Sequence, residues 1–348
     1  MSKEQPLSRM PELDALRGIS ALMVVAYHYL YRYIELYSTE AEAISLMSLG
    51  KYGVQLFFCI SGFVIYWSVQ NSKMGMDFIV ARVARLYPAY ICAIVFTYTM
   101  ITFFGLEGRE HDFITLIKNI VIFHNFLGIS SIDGVYWTLS YEVVFYMWVF
   151  IICTIFGKEH VLLLLSASYL LITGGNFFID TPILKSISEK VFLYKYIPFF
   201  IIGILSFKAW EFKHIRNTDT LLAFMVILIS TYINANDIYI YILCIGVFYL
   251  LVNGKLGFLN VKPLTYLGMI SYSLYLIHQN FGYIILGRLE SIGVNIYLGA
   301  FIAFSLSVLV STIFYYAVEG PTKNFLLNSY RKKINRSEPY TIKKSETI

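Results

Sequence analysis

Charge is what this sequence has least of. Only 14% of its 348 residues are Asp, Glu, Lys or Arg, against roughly 25% in soluble globular proteins. With 58% hydrophobic residues, a chain dissolved in water is excluded. Cysteine is scarce too: Cys59, Cys92, Cys153 and Cys244 lie singly in apolar stretches. Without a C-x-x-C spacing, neither a disulfide framework nor a zinc site is indicated, and no metal is expected. Internal repetition is also missing. No 20 to 50 residue period runs through the chain, and its halves lack the similarity that many transporters carry.

Long apolar segments are what the sequence has instead. They fall at about 13–34, 52–70, 86–105, 135–156, 161–174, 191–209, 220–235, 238–253, 264–286 and 293–318. Each membrane helix needs about 20 residues, so ten use roughly 200 positions. That leaves short loops and no separate extramembrane domain. The predicted fold is all-α, a polytopic membrane protein of about ten transmembrane helices. Segments 161–174 and 238–253 are short for a crossing, and Phe113 to Phe126 suits an interfacial or re-entrant helix, so nine or eleven spans are the alternatives.

The formal charge of +5 reads as orientation rather than nucleic-acid binding. With the N-terminus in the cytoplasm, 19 of the 27 basic residues fall inside, seven fall outside and Lys195 falls within a span. Both termini are therefore predicted to be cytoplasmic. The basic tail, residues 326–348 with Arg331, Lys332, Lys333, Arg336, Lys343 and Lys344, is expected to be a disordered, lipid-facing anchor. A cleaved signal peptide is not expected. The first segment is long, starts with Asp14 and Arg17, and is separated by polar residues from the small-residue site Ala41-Glu42-Ala43.

Polar residues inside apolar spans are where chemistry is sought, because hydrocarbon penalises them unless they serve a site or find partners. In the first span Arg17 and His28 are eleven residues apart. At 3.6 residues per turn they share nearly one helix face, separated by roughly 16 Å along the axis. The arginine suits an anionic ligand head at the cytoplasmic edge and the imidazole suits a base deeper in. The spacing alone leaves open a snorkelling arginine and a histidine bonded to a neighbouring helix. In the second span Ser61-Gly62 reads first as a close helix contact. Arg82 and Arg85, at i and i+3, share a face and can grip phosphates, or serve only as a topology signal. Glu142, the acidic residue well inside an apolar span, must be protonated, paired with a cation such as His28 or Lys195, or face a hydrated cavity. Trp137 and Tyr141 alone would be interfacial belt residues, and His278 a hydrogen-bonded packing residue.

Five landmarks in chain order resemble the acyltransferase family 3 of multispan membrane proteins. They are Leu13-x-x-Leu16-Arg17-Gly18 with His28 eleven residues after the arginine, Gly53-Val54-x-Leu56-Phe57-Phe58-x-Ile60-Ser61-Gly62-Phe63, Arg82-x-x-Arg85 before Pro88, Trp137-Thr138-Leu139-x-x-Glu142-x-x-Phe145-Tyr146, and Ser271-Tyr272-Ser273-Leu274-Tyr275-Leu276-x-His278. The resemblance covers about residues 10–325, so 1–325 is expected to be the acyltransferase domain. It implies transfer of an acyl group, most often acetyl from acetyl-CoA, to a hydroxyl of a cell-surface polysaccharide or its lipid-linked precursor, in the bacterial cytoplasmic (inner) membrane. By the same resemblance His28 is the base and Arg17 a donor-side contact. Arg82 and Arg85 then contact CoA phosphates. Glu142 falls on a motif position whose role the resemblance does not settle; as a mechanistic hypothesis it orients the imidazole or a hydrogen-bonded neighbour. Ser61, Gly62, Trp137 and His278, which fall on further motif positions, and Tyr141 within the fourth landmark are expected near the substrate. Ala81 replaces an arginine frequent in the family, and Asn280 a proline frequent after the last histidine, which puts the phosphate grip and the role of His278 in question. The esterase-like domain often appended in the family is not expected after Pro321. The competing reading is a transporter or flippase with Arg17, Glu142, Lys195 and the histidines along its path. Acceptor sugar, acyl chain, oligomeric state, oxyanion donors and the choice between direct transfer and an acyl-histidine are left open by the sequence.

Overall fold

The computed structural model describes residues 10–38, 42–71, 75–179, 181–213 and 215–337, the last four of these as backbone only. Lys3, Arg9, Ala41, Lys73, Lys343 and Lys344 lie outside the described residues, as does the side chain of Arg336. Among the described residues there is no β-strand.

Helix α1 (Pro11–Tyr27) continues through a π-helical turn, His28–Arg32, into α2 (Tyr33–Tyr37). Then come α3 (Gly53–Asn71), α4 (Met76–Phe104), α5 (Phe113–Asn119), α6 (Trp137–Ile155), α7 (Val161–Phe178) and α8 (Pro182–Lys190). The chain ends with α9 (Ile197–Phe212), α10 (Asn217–Ile233), α11 (Ile238–Val252), α12 (Lys262–Glu290), α13 (Ile296–Phe314), a second π-helical turn (Tyr315–Glu319) and α14 (Gly320–Ser337). Every apolar segment read from the sequence carries a long helix. Among the described residues, six helical stretches are long and apolar enough to cross a membrane: Ser45–Asn71, Met76–Phe104, Gly134–Ile155, Lys158–Phe178, Ala235–Val252 and Ile296–Lys333. The 161–174 and 238–253 segments, short in the sequence, fall within two of these because their helices extend beyond the uninterrupted apolar runs.

Three expectations need correction. The tail from 326 is not disordered throughout, since α14 carries it as helix to Ser337. Lys195 lies outside a span, because the turn at Leu193–Tyr196 and Pro198 in the first turn start α9 at Ile197, and its ammonium pairs with Glu189 at 2.7 Å. Phe113 to Phe126 forms no long helix. The seven-residue α5 is capped by Asp112, which accepts from the Thr115 N–H at 2.8 Å, and turns follow. The Asn119 side chain pins those turns, donating to Thr115 and Ser130 and accepting from Ile132 N–H.

Backbone-to-backbone crossings tie the bundle. At α1 against α12, a Cβ on Gly268 would lie 1.8 Å from the Asp14 carbonyl oxygen and one on Gly18 would lie 2.4 Å from the Leu264 carbonyl oxygen. At α3 against α9, the same atom on Gly62 would lie 2.2 Å from the Phe200 oxygen, and on Gly203, 2.0 Å from the Cys59 oxygen. Lipid tails are as apolar as leucine, so helices in a membrane associate through such close packing. Gly62, expected near substrate, thus serves the α3–α9 contact. Around it pack Phe58, Phe63, Phe145, Phe200 and Phe207, all buried. α12 packs on α1, on α13 and on α4, so it joins the first crossing to the helix that carries the paired arginines.

A methyl group at Gly268 has no flexible side chain to displace, only backbone. Gly268→Ala is expected to lower stability in detergent by about 1–3 kcal/mol. Gly246→Ala on α11, where nothing lies within 4 Å of the added atom, should leave it unchanged. Thermal unfolding of the two purified variants measures the difference.

Candidate active site

Five of the residues singled out in the sequence line one cavity. Arg17 from α1, Ser61 from α3, Arg82 and Arg85 from α4 and Glu142 from α6 surround a space of about 80 Å³, closed by Tyr146, Tyr272 and Tyr275 among others. That is room for a few water molecules. Glu142 meets the third of its expected fates, facing the cavity. It accepts hydrogen bonds from the Ser61 hydroxyl at 3.1 Å and from the Tyr146 hydroxyl one turn on. Neither His28 nor Lys195 pairs with it, His28 being bonded to Val24 and His278 and Lys195 to Glu189.

The arginines are under-neutralised. Arg17 faces Asp14 at 3.7 Å. Arg82 donates to Ser68 at 3.4 Å and lies over the rings of Phe78 and Tyr146, while its Nε is buried without a hydrogen bond. Arg85 lies within electrostatic reach of Glu142, Glu319 and Tyr272, yet it makes no hydrogen bond or ion pair among the described residues. Three guanidinium groups therefore line the cavity with one carboxylate. Lys323 of α14 is within electrostatic reach of all three arginines. Burying like charges together is costly without a compensating anion, so this arrangement is suited to an anionic ligand. Lys323 and Glu319, which accepts from Ser273 at 2.8 Å, escaped the sequence reading. They lie beyond the last apolar run, and only the second π-helical turn carries them back toward the arginines.

Pro88 interrupts the hydrogen-bond ladder of α4 beside the cavity, and the Tyr272 hydroxyl donates to the Leu86 carbonyl at 2.8 Å. This ties α12 to α4 at the site. An apolar groove between α4 and α6, about 320 Å³, shares Arg82, Leu86 and Tyr146 with the cavity.

His28 lies beyond the cavity rather than in its wall. The cavity ends at Thr138 and Tyr275. Thr138 donates to the Tyr275 hydroxyl at 2.9 Å, the Tyr275 ring is 5.8 Å from that of His278, and His278 meets His28 with 3.1 Å between Nε2 and Nδ1. The carbonyl partners assign the tautomers. His278 Nδ1 faces the carbonyls of Tyr275 at 2.9 Å and Leu274 at 3.1 Å, so it carries the proton and leaves Nε2 to accept. His28 Nδ1 then donates, shared between that nitrogen and the Val24 carbonyl at 2.8 Å. The lone pair of His28 is therefore on Nε2. His278 is completely buried and its ring touches that of His28. Its carbonyl accepts from the Tyr29 hydroxyl at 2.7 Å.

The departure at Asn280 is put to use. Its backbone N–H, which a proline would lack, donates to the buried Asp133 carboxylate at 3.1 Å, and its side chain donates to the Ile132 carbonyl at 2.8 Å. These bonds clamp the 105–133 loop onto α12 two residues past His278. Trp137 and Tyr141 pack against the Tyr196 ring, tilted and edge-on, at 5.4 and 4.8 Å between ring centroids, and do not line the arginine cavity. Among the described residues no group of three or more His, Cys, Asp or Glu side chains is placed to hold a metal ion.

Similarity to known proteins agrees with this arrangement. The chain is 27% identical over 152 residues to "Acyltransferase MdmB" of Streptomyces mycarofaciens, covering 40% of this chain and 38% of that protein. It is 24% identical over 287 residues to "Putative acetyltransferase ORF330" of Acidianus two-tailed virus, covering 77% and 82%. It is 28% identical over 146 residues to the "O-acetyl transferase" of Shigella phage Sf6, covering 38% and 43%. No solved structure matches the chain. A family model described as an acyltransferase domain matches residues 10–316, and the chain, a membrane protein by its apolar helices, belongs to the acyltransferase family 3.

Proposed function

We propose that this protein moves an acyl group, acetyl in the first instance, from acyl-CoA on the cytoplasmic side of a bacterial inner membrane to a hydroxyl of a cell-surface polysaccharide or its lipid-linked precursor. The observation that carries the reading is the cavity with three guanidinium groups and one carboxylate, one tyrosine ring away from a hydrogen-bonded histidine pair. The orientation that goes with it has ten crossings, formed by α1, α3, α4, α6, α7, α9, α10, α11, α12 and α13, and both termini in the cytoplasm.

In this arrangement Arg17, Arg82, Arg85 and Lys323 face the inner water boundary and hold the phosphates of the donor by charge-assisted hydrogen bonds. The bulky nucleotide stays outside and the narrow pantetheine arm extends inward. At about 80 Å³ the cavity is below the roughly 300–1,000 Å³ of ligand sites, so donor entry widens it. Displacement of Tyr275 joins it to the histidines. His28 Nε2 then takes the proton from the acceptor hydroxyl as the oxygen attacks the thioester carbonyl. The C–S bond breaks, and the leaving thiolate takes that proton back from the imidazolium to leave as free CoA thiol. His278, by accepting from His28 Nδ1–H, holds the ring in the tautomer that exposes Nε2 and stabilises the imidazolium as it forms. Glu142 fixes Ser61 and Tyr146 around the donor arm.

The test compares ester content of the surface glycan, and thiol release from acetyl-CoA, with and without the protein. Both should depend on it. Movement of a substrate across the membrane without thiol release would establish the carrier reading instead. His28→Ala is expected to lower transfer by about 10²–10⁴-fold while leaving a folded membrane protein, and near wild-type acylation by that variant would overturn the assignment. Arg85→Ala is expected to raise KM for acetyl-CoA about tenfold with kcat little changed.

Orientation is checked separately. The native cysteines are buried or half-buried, whereas Glu110 and Lys255 are exposed at opposite ends of the bundle. An impermeant maleimide should label Glu110→Cys in intact spheroplasts and Lys255→Cys only after lysis; the reverse pattern would invert the topology.

A further inference from the structure

Where the acceptor sits is not fixed by anything above, and the half of the molecule beyond His28 offers a place for it. A second cavity of about 310 Å³ opens at the far end of α12, walled by Tyr33, Tyr37, Tyr283, Gly287 and Glu290. Its volume falls within the range of small-molecule sites. The three tyrosine rings form a tight cluster, with centroids 5.5 Å apart for Tyr33 and Tyr283, 5.7 Å for Tyr37 and Tyr283, and 5.5 Å for Tyr33 and Tyr37. The Glu290 carboxylate is held still, one oxygen accepting from the Tyr33 hydroxyl at 2.8 Å and the other from Ser38 at 2.5 Å. Each oxygen keeps a lone pair for a further donor. The Tyr283 hydroxyl is buried beside Gln279. Its ring is 6.3 Å from that of His28.

We propose that this tyrosine and Glu290 cavity is the acceptor subsite, taking a neutral sugar ring of the glycan, with Tyr283 as the wall between the sugar and the base. The inference rests on the acyltransferase reading of the preceding section and adds the residues that hold the second substrate. The chemistry selects the ligand. Aromatic faces pack against the C–H faces of a pyranose, and a fixed carboxylate accepts from its hydroxyls. A carboxylate in the wall disfavours an anionic ligand. A quaternary ammonium ligand, which aromatic cages also hold, is disfavoured because Arg32 and Arg109 both lie within electrostatic reach of Tyr283.

The fold supplies a clean test at Gly287. A Cβ there meets only the Tyr33 hydroxyl, at 3.6 Å, so a larger side chain enters the cavity without pushing on backbone. In cells producing full-length protein, glycan ester content is measured for wild type, Gly287→Leu, Tyr37→Ala, Glu290→Gln, Arg85→Ala and His28→Ala. Binding of radiolabelled acetyl-CoA is measured on the same purified proteins in nanodiscs. The Gly287, Tyr37 and Glu290 variants are expected to lose about tenfold in glycan ester while holding acetyl-CoA within about twofold of wild type. Arg85→Ala should lose acetyl-CoA binding itself. Wild-type ester content in Gly287→Leu would overturn the subsite, and so would parallel loss of ester and acetyl-CoA binding in all three variants, which marks a merely structural role. If wild type and His28→Ala cells have the same ester content while acetyl-CoA binding is intact, the function reading fails and the subsite falls with it.

Discussion

Two imidazoles meet at 3.1 Å inside this bundle because the helices that carry them touch backbone to backbone. The crossing at Gly18 and Gly268 leaves no room for a side chain. Further along the same pair of helices, the Tyr29 hydroxyl reaches the His278 carbonyl. The π-helical turn that starts at His28 adds to this. Such a turn frees backbone groups from the regular ladder and is often found at functional positions. Here it falls at the step where α1 gives way to α2, so Tyr33 and Tyr37 face Tyr283 rather than lipid.

Electrostatics divides the molecule along the same axis. At the end where α1, α4 and α14 meet, cations outnumber anions around the arginine cavity. At the opposite end of α12 a carboxylate and three tyrosines surround the second space. Between them lie Tyr275, His278 and His28, whose hydrogen bonds run to backbone carbonyls and to one another. An under-neutralised cluster of guanidinium groups is expensive inside a membrane protein, and packing alone does not account for it. The excess is therefore informative in a way that the surface lysines are not.

How much of this was legible in the sequence depends on the scale. Helix positions were, because hydrocarbon demands long uninterrupted apolar runs and the chain supplies them. The shared face of Arg17 and His28 follows from helical geometry, and α1 keeps regular α-helical form up to Tyr27. The convergence of Arg82, Arg85, Ser61 and Glu142 on Arg17 follows from no periodicity; only the ordered motifs pointed to it. What escaped has physical causes. Lys323 and Glu319 sit after the last apolar run, where charged residues look like a tail. Tyr283 and Glu290 lie on a helix end whose tyrosines resemble an interfacial belt until Tyr33 and Tyr37 are seen against them. The role of Asn280 depends on a backbone N–H meeting a carboxylate 147 positions away, which no local pattern reports.

The separation of the two cavities bears on why the histidine pair sits where it does. Were His28 in the wall of the arginine cavity, water entering with the donor would reach the thioester beside an exposed Nε2, and hydrolysis would compete with transfer. Under the proposed function, Tyr275 and His278 between them withhold the base from the donor side until the barrier moves, and exclusion of water from the reacting groups is then part of the same step. Under the proposed reading, donor arm and acceptor sugar approach from opposite faces of the membrane and meet only at His28. The two substrates need never share a compartment. The barrier side chain is then the element on which timing depends: Tyr275 is held by Thr138 and by the Val135 carbonyl, both on the segment that opens α6. That same segment carries Glu142 one turn further on, facing the donor arm. A donor that rearranges the groups around Glu142 thereby acts on the helix that latches Tyr275, which links filling of the cavity to opening of the path toward the base.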